Sequence, residues 1–154
     1  MKKILFTMLI AMFVFTGCNK DDDANPVNAT YQYSYAGKTY DIVDAEYLYA
    51  DGDTFLFFRG AGIANYVQII FADHVDSIPT GTFTYNALRY QNSYDPESNF
   101  WSGAVTTESN ALGYNLSGGT VTIQPDGEGY KVVFKVTTQE GTAEGSYTGT
   151  IRPR

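Results

Sequence analysis

Gly129-Tyr130-Lys131-Val132-Val133-Phe134-Lys135-Val136-Thr137 is the stretch whose reading decides the fold. Tyr130, Val132, Phe134 and Val136 fall on one side of an extended chain, and Lys131, Val133, Lys135 and Thr137 on the other. Successive side chains of a strand point to opposite faces, so this period of two describes a strand with one face against a core. A slip of one residue would bury the lysines, so the register is well specified. Turn residues bracket the strand: Pro125-Asp126-Gly127 before it and Gln139-Glu140-Gly141 after it. Past the second turn, Ala143, Gly145, Tyr147, Gly149 and Ile151 face inward, against Thr142, Glu144, Ser146, Thr148 and Thr150. Gly145 and Gly149 leave room for a tight bend or a neighbouring ring. Before the first turn, residues 119–124 place Val121 and Ile123 inward.

The same grammar runs upstream. Tyr31, Tyr33 and Tyr35 alternate with Gln32 and Ser34, Ala36-Gly37-Lys38 turns the chain, and residues 39–43 run back as a hairpin. Residues 44–49 continue extended, past a bulge, to a turn at Asp51-Gly52-Asp53. Residues 55–59 are apolar on both sides, as in a strand shielded from solvent. Gly60-Ala61-Gly62 breaks it. Residues 67–72 and 81–88 read as strands, with a loop over 73–79 between them. Residues 89–99 form the one long irregular connection. Residues 100–107 read as a strand, 108–113 as a turn or loop, and 114–117 as a short extended piece.

No helix-period segment follows Cys18. The pattern predicts an all-β fold: an antiparallel meander of about 8–10 strands in which sequence neighbours pair in space. Its apolar face must be covered by closure or by a second sheet, so both a flattened β-barrel and a β-sandwich fit.

The chain begins differently. Lys2 and Lys3 precede an apolar run over residues 4–15, broken only by Thr7. This is the pattern of a secretory signal peptide, and it predicts an N-terminal signal helix. A transmembrane helix needs about 20 apolar residues, and this run is shorter. Phe15-Thr16-Gly17-Cys18 resembles the bacterial lipobox, in which Leu usually stands at the place of Phe15. The resemblance implies cleavage before Cys18, diacylglycerol on its sulfur and acylation, commonly with palmitate, of its new amine. Three acyl chains, at ~0.8 kcal/mol per buried CH₂, hold a protein to a membrane far better than one. Asn19-Lys20-Asp21-Asp22-Asp23 is similar to the surface-export signal of Bacteroidota lipoproteins, with Lys20 and then Asp21, Asp22 and Asp23 matching it. That likeness implies a lipid anchor in the outer membrane and display at the cell surface. The charge run also serves as a solvated tether, because like charges extend a linker. The expected organisation is a signal peptide over 1–17, a lipidated Cys18 and flexible acidic tether over 18–28, and a single β domain over 29–154. The frame Tyr-x-Tyr-x-Gly-Lys-x-Tyr-x-Ile from Tyr33 to Ile42 and the ending Gly-Ser-Tyr-x-Gly-x-Ile from Gly145 to Ile151 resemble uncharacterised Bacteroidota lipoproteins. Those motifs are turn and strand chemistry; they imply location and fold and supply no activity.

Composition narrows the function. The 154 residues carry 17 acidic and 10 basic side chains, a formal net charge of −7, and removal of the signal peptide makes the balance more negative. That argues against nucleic acid, whose binding relies on clustered Lys and Arg. The single Cys is taken by the lipid, which leaves no disulfide, no thiolate metal site and no catalytic thiol, and no cofactor is expected. Aromatic residues make up 16% of the chain, with 13 Tyr, which suits pleated sheet.

Chemistry-bearing residues concentrate in the long connection: Arg89, Tyr90, Gln91, Asn92, Tyr94, Asp95, Asn99, Phe100 and Trp101. Flat rings for stacking beside amides and carboxylates for hydroxyls are what sugar binding needs, and long loops often carry function. Tyr90, Tyr94, Asp95, Phe100 and Trp101 form the candidate ligand-binding set. The same rings also suit a satellite core folded under the loop. His74, in Asp73-His74-Val75-Asp76, is the only His. It lacks the further ligands a zinc site requires, and alternation would point it away from Asp73. Asp51-Gly52-Asp53 and Asp126-Gly127-Glu128 lack the spaced oxygens of a calcium loop and read as turns. Asp76-Ser77-Ile78 resembles the O-glycan acceptor of Bacteroidota, which makes Ser77 a candidate glycosylation site. No acid–base pair, nucleophile frame or metal spacing is present. The leading reading is a non-enzymatic, lipid-anchored envelope domain that binds a glycan or a protein partner. A structural or assembly subunit using exposed sheet edges is the alternative, and an enzyme comes third.

Overall fold

The computed structural model describes residues 31–154, and within them every regular element is a β-strand. The expected signal helix, Cys18, the export-like Lys20-Asp21-Asp22-Asp23 and the tether lie outside the described residues. The strands are β1 (Gln32–Tyr35), β2 (Lys38–Ala50), β3 (Asp53–Gly60), β4 (Tyr66–Phe71), β5 (Gly81–Tyr85), β6 (Asn99–Phe100), β7 (Ser102–Thr107), β8 (Asn110–Asp126), β9 (Gly129–Thr138), β10 (Gly141–Gly149) and β11 (Arg152–Pro153).

Between barrel and sandwich, the architecture is a closed 8-stranded antiparallel barrel with extra strands. Round the wall the order is β8-β7-β4-β3-β2-β1-β10-β9, and β9 closes on β8. Apart from the excursion through β5 and β6 and the β1–β10 pair, which joins the two ends of the chain, every neighbour in the wall is a neighbour in sequence, the expected meander. The hairpins follow from turn chemistry. Ala36-Gly37 and Asp51-Gly52 both take positive φ at both positions (49° and 76°, 54° and 83°), the geometry that matches the twist of flanking strands.

Two strands do the closing. β2 pairs with β1 over its first residues and with β3 from Ile42 onward, with a bulge between Ile42 and Asp44. β8 pairs with β7 over its first half and with β9 from Leu116 onward, with a bulge between Leu116 and Gly118. A bulge adds an unpaired residue and bends its strand, so each long strand turns a corner and belongs to two sheets. The sequence reading split the second of these into a loop over 108–113 and two short strands. In fact one strand runs from Asn110 to Asp126, and only Glu108-Ser109 turns. Gly119 makes the bend possible. It holds φ at 116°, and a Cβ there would strike the Lys135 carbonyl.

The interior is filled by rings. Phe58 of β3 stacks on Phe134 of β9 at 5.2 Å, Tyr33 on Tyr40 at 4.8 Å, and Phe71 meets Phe83 edge-on at 4.9 Å. Val132, Phe134 and Val136 are buried, as their alternation predicts. Gly145 leaves room for a ring, as expected: a Cβ there would sit 2.6 Å from Tyr33 Cβ and 2.7 Å from Phe134 Cζ. An eight-stranded barrel is just wide enough for such filling.

Between β4 and β7 the chain leaves the wall. β5 pairs with Thr120–Ile123 of β8, beyond the end of β7, and β6 pairs with β5. The strand expected over 81–88 ends at Tyr85, and the one expected over 100–107 is interrupted at Trp101. There the amide of Trp101 bonds to the Ile70 carbonyl at 3.0 Å and ties the excursion back to β4. At the other end of the chain, Ile151 is buried, β11 runs parallel to β2, and Arg152 Nη2 bonds Asp44 Oδ1 at 2.6 Å.

Two outcomes follow. Gly145→Ala should destabilise the domain by about 1–3 kcal/mol, read as a lower urea midpoint, because the added methyl overpacks Tyr33 and Phe134. Burial raises the Tyr33, Tyr35 and Tyr147 phenols above their ordinary value. The folded chain therefore keeps protons that the unfolded chain releases above about pH 10. That contribution is whole below about pH 10 and is lost as pH climbs through the folded values. The urea midpoint should accordingly hold up to about pH 10 and fall as the pH rises above it.

Candidate functional site

The excursion places a long loop, residues 86–98, at one end of the barrel, beside the β2–β3 turn and the loop over 72–80. What holds it there is an ion pair. Arg89 Nη1 donates to Asp53 Oδ2 at 2.5 Å and Nη2 to Asp53 Oδ1 at 2.6 Å, a two-pronged contact. The pair is sequestered, with side-chain exposures of 14% for Arg89 and 4% for Asp53. Arg89 Nη2 also approaches Asp73 Oδ1 at 3.4 Å, and the Asp73 amide donates to Asp53 Oδ1 at 3.3 Å. Burial pulls the Arg89 pKa down, but the hydrogen bond and charge of Asp53, with Asp73 behind it, outweigh this and hold it above its ordinary value. The guanidinium lies 5.2 Å from the Trp101 ring and 5.5 Å from the Tyr90 ring.

Local hydrogen bonds fix the rest of the loop. Tyr94 Oη accepts from the Ala72 amide at 3.3 Å and donates to the Asn99 carbonyl at 3.2 Å. Burial raises the Tyr94 phenol, which keeps the proton that the second bond needs. Asp95 accepts from the Glu97 amide at 3.1 Å and the Ser98 hydroxyl at 2.8 Å, capping a turn. Asn99 Oδ1 accepts from the Asp95 amide at 3.0 Å, and Asn86 Nδ2 donates to the Ser93 carbonyl at 2.8 Å.

The candidate residues thus divide. Phe100 is wholly buried in the core, Tyr94 and Trp101 are half-buried, and Asp95 spends its carboxylate on the turn. Tyr90 alone of the set stands free, 91% exposed. The indole Nε1 of Trp101 is buried and has no partner among the described residues. The loop is therefore a satellite core underneath and an aromatic display on top.

Two residues at this end escaped the sequence reading. Asp53, a turn residue in the sequence pattern, is the buried anchor of Arg89. Asp73, at φ 62°, is not extended, so its carboxylate turns toward Arg89. A lone Arg in an aromatic loop was the available signal, since a buried cation requires a carboxylate. His74 is structural: Nε2 bonds the Pro96 carbonyl at 2.8 Å, and its ring packs on Phe71 and Phe83. Ser77 is exposed, and its carbonyl accepts from Thr54 Oγ1 at 2.9 Å. Among the described residues, no three His, Cys, Asp or Glu side chains converge to hold a metal ion.

At the opposite end lies a polar cavity of about 330 Å³, lined by Lys38, Tyr40, Asn65, Thr107, Glu108 and Ser109. Asn65 is fixed in its wall, donating to the Ala61 carbonyl at 2.7 Å and accepting from the Glu108 amide at 3.1 Å.

Comparison with family models, with curated proteins and with solved structures finds no match to this chain.

Arg89→Ala would leave the Asp53 carboxylate buried without its partner, at a cost of about 3–5 kcal/mol. The expected signs are a lower melting temperature and new protease cleavage within residues 86–98. Arg89→Ala with Asp53→Ala should recover part of the loss, because no charge is then stranded.

Proposed function

We propose that this chain is a lipid-anchored outer-membrane protein, displayed at the cell surface, whose barrel presents residues 86–98 as a glycan-binding loop. The anchor and address rest on the lipobox-like Phe15-Thr16-Gly17-Cys18 and the acidic run after it. The ligand class rests on one observation: a nine-tenths exposed Tyr90 ring rides on an Arg89 that Asp53 immobilises. A ring held ready in this way loses little freedom when a ligand stacks on it. The exposed carboxylate of Asp73 and the amides of Gln91 and Asn92 stand nearby in sequence or space for the hydroxyls of a sugar.

The assembly reading has less to draw on. Pairing β1 with β10 and β8 with β9 closes the barrel wall, which leaves unpaired edges only on the short extra strands β6 and β11 among the described residues.

Two measurements test the proposal. Palmitate should label the wild-type chain and vanish in Cys18→Ala; label that persists would remove the anchor. On a glycan array the mature chain should bind, and Tyr90→Ala should lower the signal at least tenfold with an unchanged melting temperature. An array without signal for the wild type would remove the glycan reading.

A further inference from the structure

Phe57 is a large apolar side chain on the outside of the wall. Its neighbours on β3, Leu56 and Phe58, belong to the interior cluster, so Phe57 points out. The residues beside it in register, Glu46 on β2 and Gln68 on β4, are polar, as an outer face requires. Yet Phe57 is only 5% exposed. Its cover comes from Tyr66, edge-on at 6.0 Å, and from Arg154, whose guanidinium lies 4.3 Å from the ring centroid.

Arg154 is carried there by a short strap, Arg152-Pro153-Arg154. β11 lies parallel to β2, with Arg152 opposite Glu46 and Pro153 opposite Tyr47. The Arg154 amide then donates to the Tyr47 carbonyl at 2.9 Å. Successive N–H groups of a strand point to opposite edges, so the N–H that Pro153 lacks would face away from β2 and the pairing loses nothing. Side chains add two charge contacts: Arg152 Nη2 to Asp44 Oδ1 at 2.6 Å, and Arg154 Nε to Glu46 Oε2 at 3.9 Å. The segment is thus read by a backbone edge, by two carboxylates and by an aromatic face.

The hold on the strap is light. The strand pairing covers two residues. Both arginines are exposed, and exposed ion pairs contribute little to stability. The receiving surface, by contrast, belongs to the wall. Glu46 keeps Arg59 as a partner, Nη1 to Oε2 at 3.3 Å, whether or not Arg154 is in place, and Phe57 keeps Tyr66. Opening the strap therefore leaves a formed site with an uncovered ring.

We infer that this edge of β2, with Asp44, Glu46 and Phe57, is a docking site for an extended basic peptide carrying arginines two residues apart, and that Arg152-Pro153-Arg154 occupies it in cis. A partner segment of that chemistry pairs with β2 in the register of the strap and lays its second guanidinium on Phe57. The net charge of −7 favours a basic partner over an acidic one. The site draws on none of residues 86–98 and does not rest on their glycan reading.

Two measurements on the full chain test this. Native-state hydrogen exchange should show the Arg154 amide opening locally, about a hundredfold faster than the amides of β3. Equal protection would make the strap a fixed part of the wall and overturn the inference. The second measurement is titration with an acetylated peptide, Thr-Ile-Arg-Pro-Arg, which has the sequence of residues 150–154. The double variant Arg152→Ala with Arg154→Ala, whose own occupant is weakened, should bind it about tenfold more tightly than the wild type does. Chemical-shift changes should centre on Glu46, Tyr47 and Phe57. A control peptide with both arginines replaced by alanine should bind about tenfold more weakly. Absence of binding to the double variant, equal binding of the two peptides, or shifts centred elsewhere would each overturn the inference.

Discussion

The seam between β8 and β9 carries the structure, because a sheet of this size closes only if one strand can face two neighbours. Val121 sits opposite Phe134 there, and Ile123 opposite Val132, all turned into the core. Upstream of Leu116 the same strand belongs with β7. Changing partners requires a bend, and the bend requires backbone without a side chain where Gly119 crosses Lys135. β2 repeats the device with its bulge at Ile42–Asp44. Two corner strands convert what would be two stacked sheets into one wall, and the aromatic interior follows because that wall encloses a fixed width.

Closure also explains why the long loop is where it is. β7 is too short to cover the far half of β8, so β5 takes over from Gly81. The connection from β5 back to the wall must then pass over the end of the barrel. A polar, irregular segment there would be mobile if nothing held it. The Arg89–Asp53 pair, shielded by Trp101, holds it at one point, and the Tyr94, Asp95 and Asn99 hydrogen bonds hold it at others. A buried ion pair is a poor source of net stability but a strong source of definition, since either partner alone would be costly. Here it defines which aromatic residue faces solvent.

The two ends of the barrel therefore differ in character. One is covered by a tethered loop with an exposed ring and an exposed acid. The other carries a polar cavity over a stacked tyrosine pair. The pairing of Tyr33 with Tyr40 is dictated by the tight Ala36-Gly37 turn, which sets the hairpin register and so brings the two rings face to face. A local turn thus determines the wall of a cavity that also draws on distant loops.

Much of the wall was legible in residues alone. The alternation from Tyr130 to Val136, the Asp-Gly turn and the inward Gly145 are local matters: period, positive φ and side-chain size do not depend on what lies across the core. The aromatic loop was visible in the same way, as composition without period. Three things were decided only by the tertiary structure. Barrel closure depends on a pairing between segments whose periodicity is the same in a sandwich. The continuity of β8 through Gly118 and Gly119 is hidden because glycine breaks the pattern that marks a strand. The role of Asp53 depends on a partner brought near by folding; a carboxylate in a turn looks alike in sequence whether it ends in solvent or in a buried ion pair.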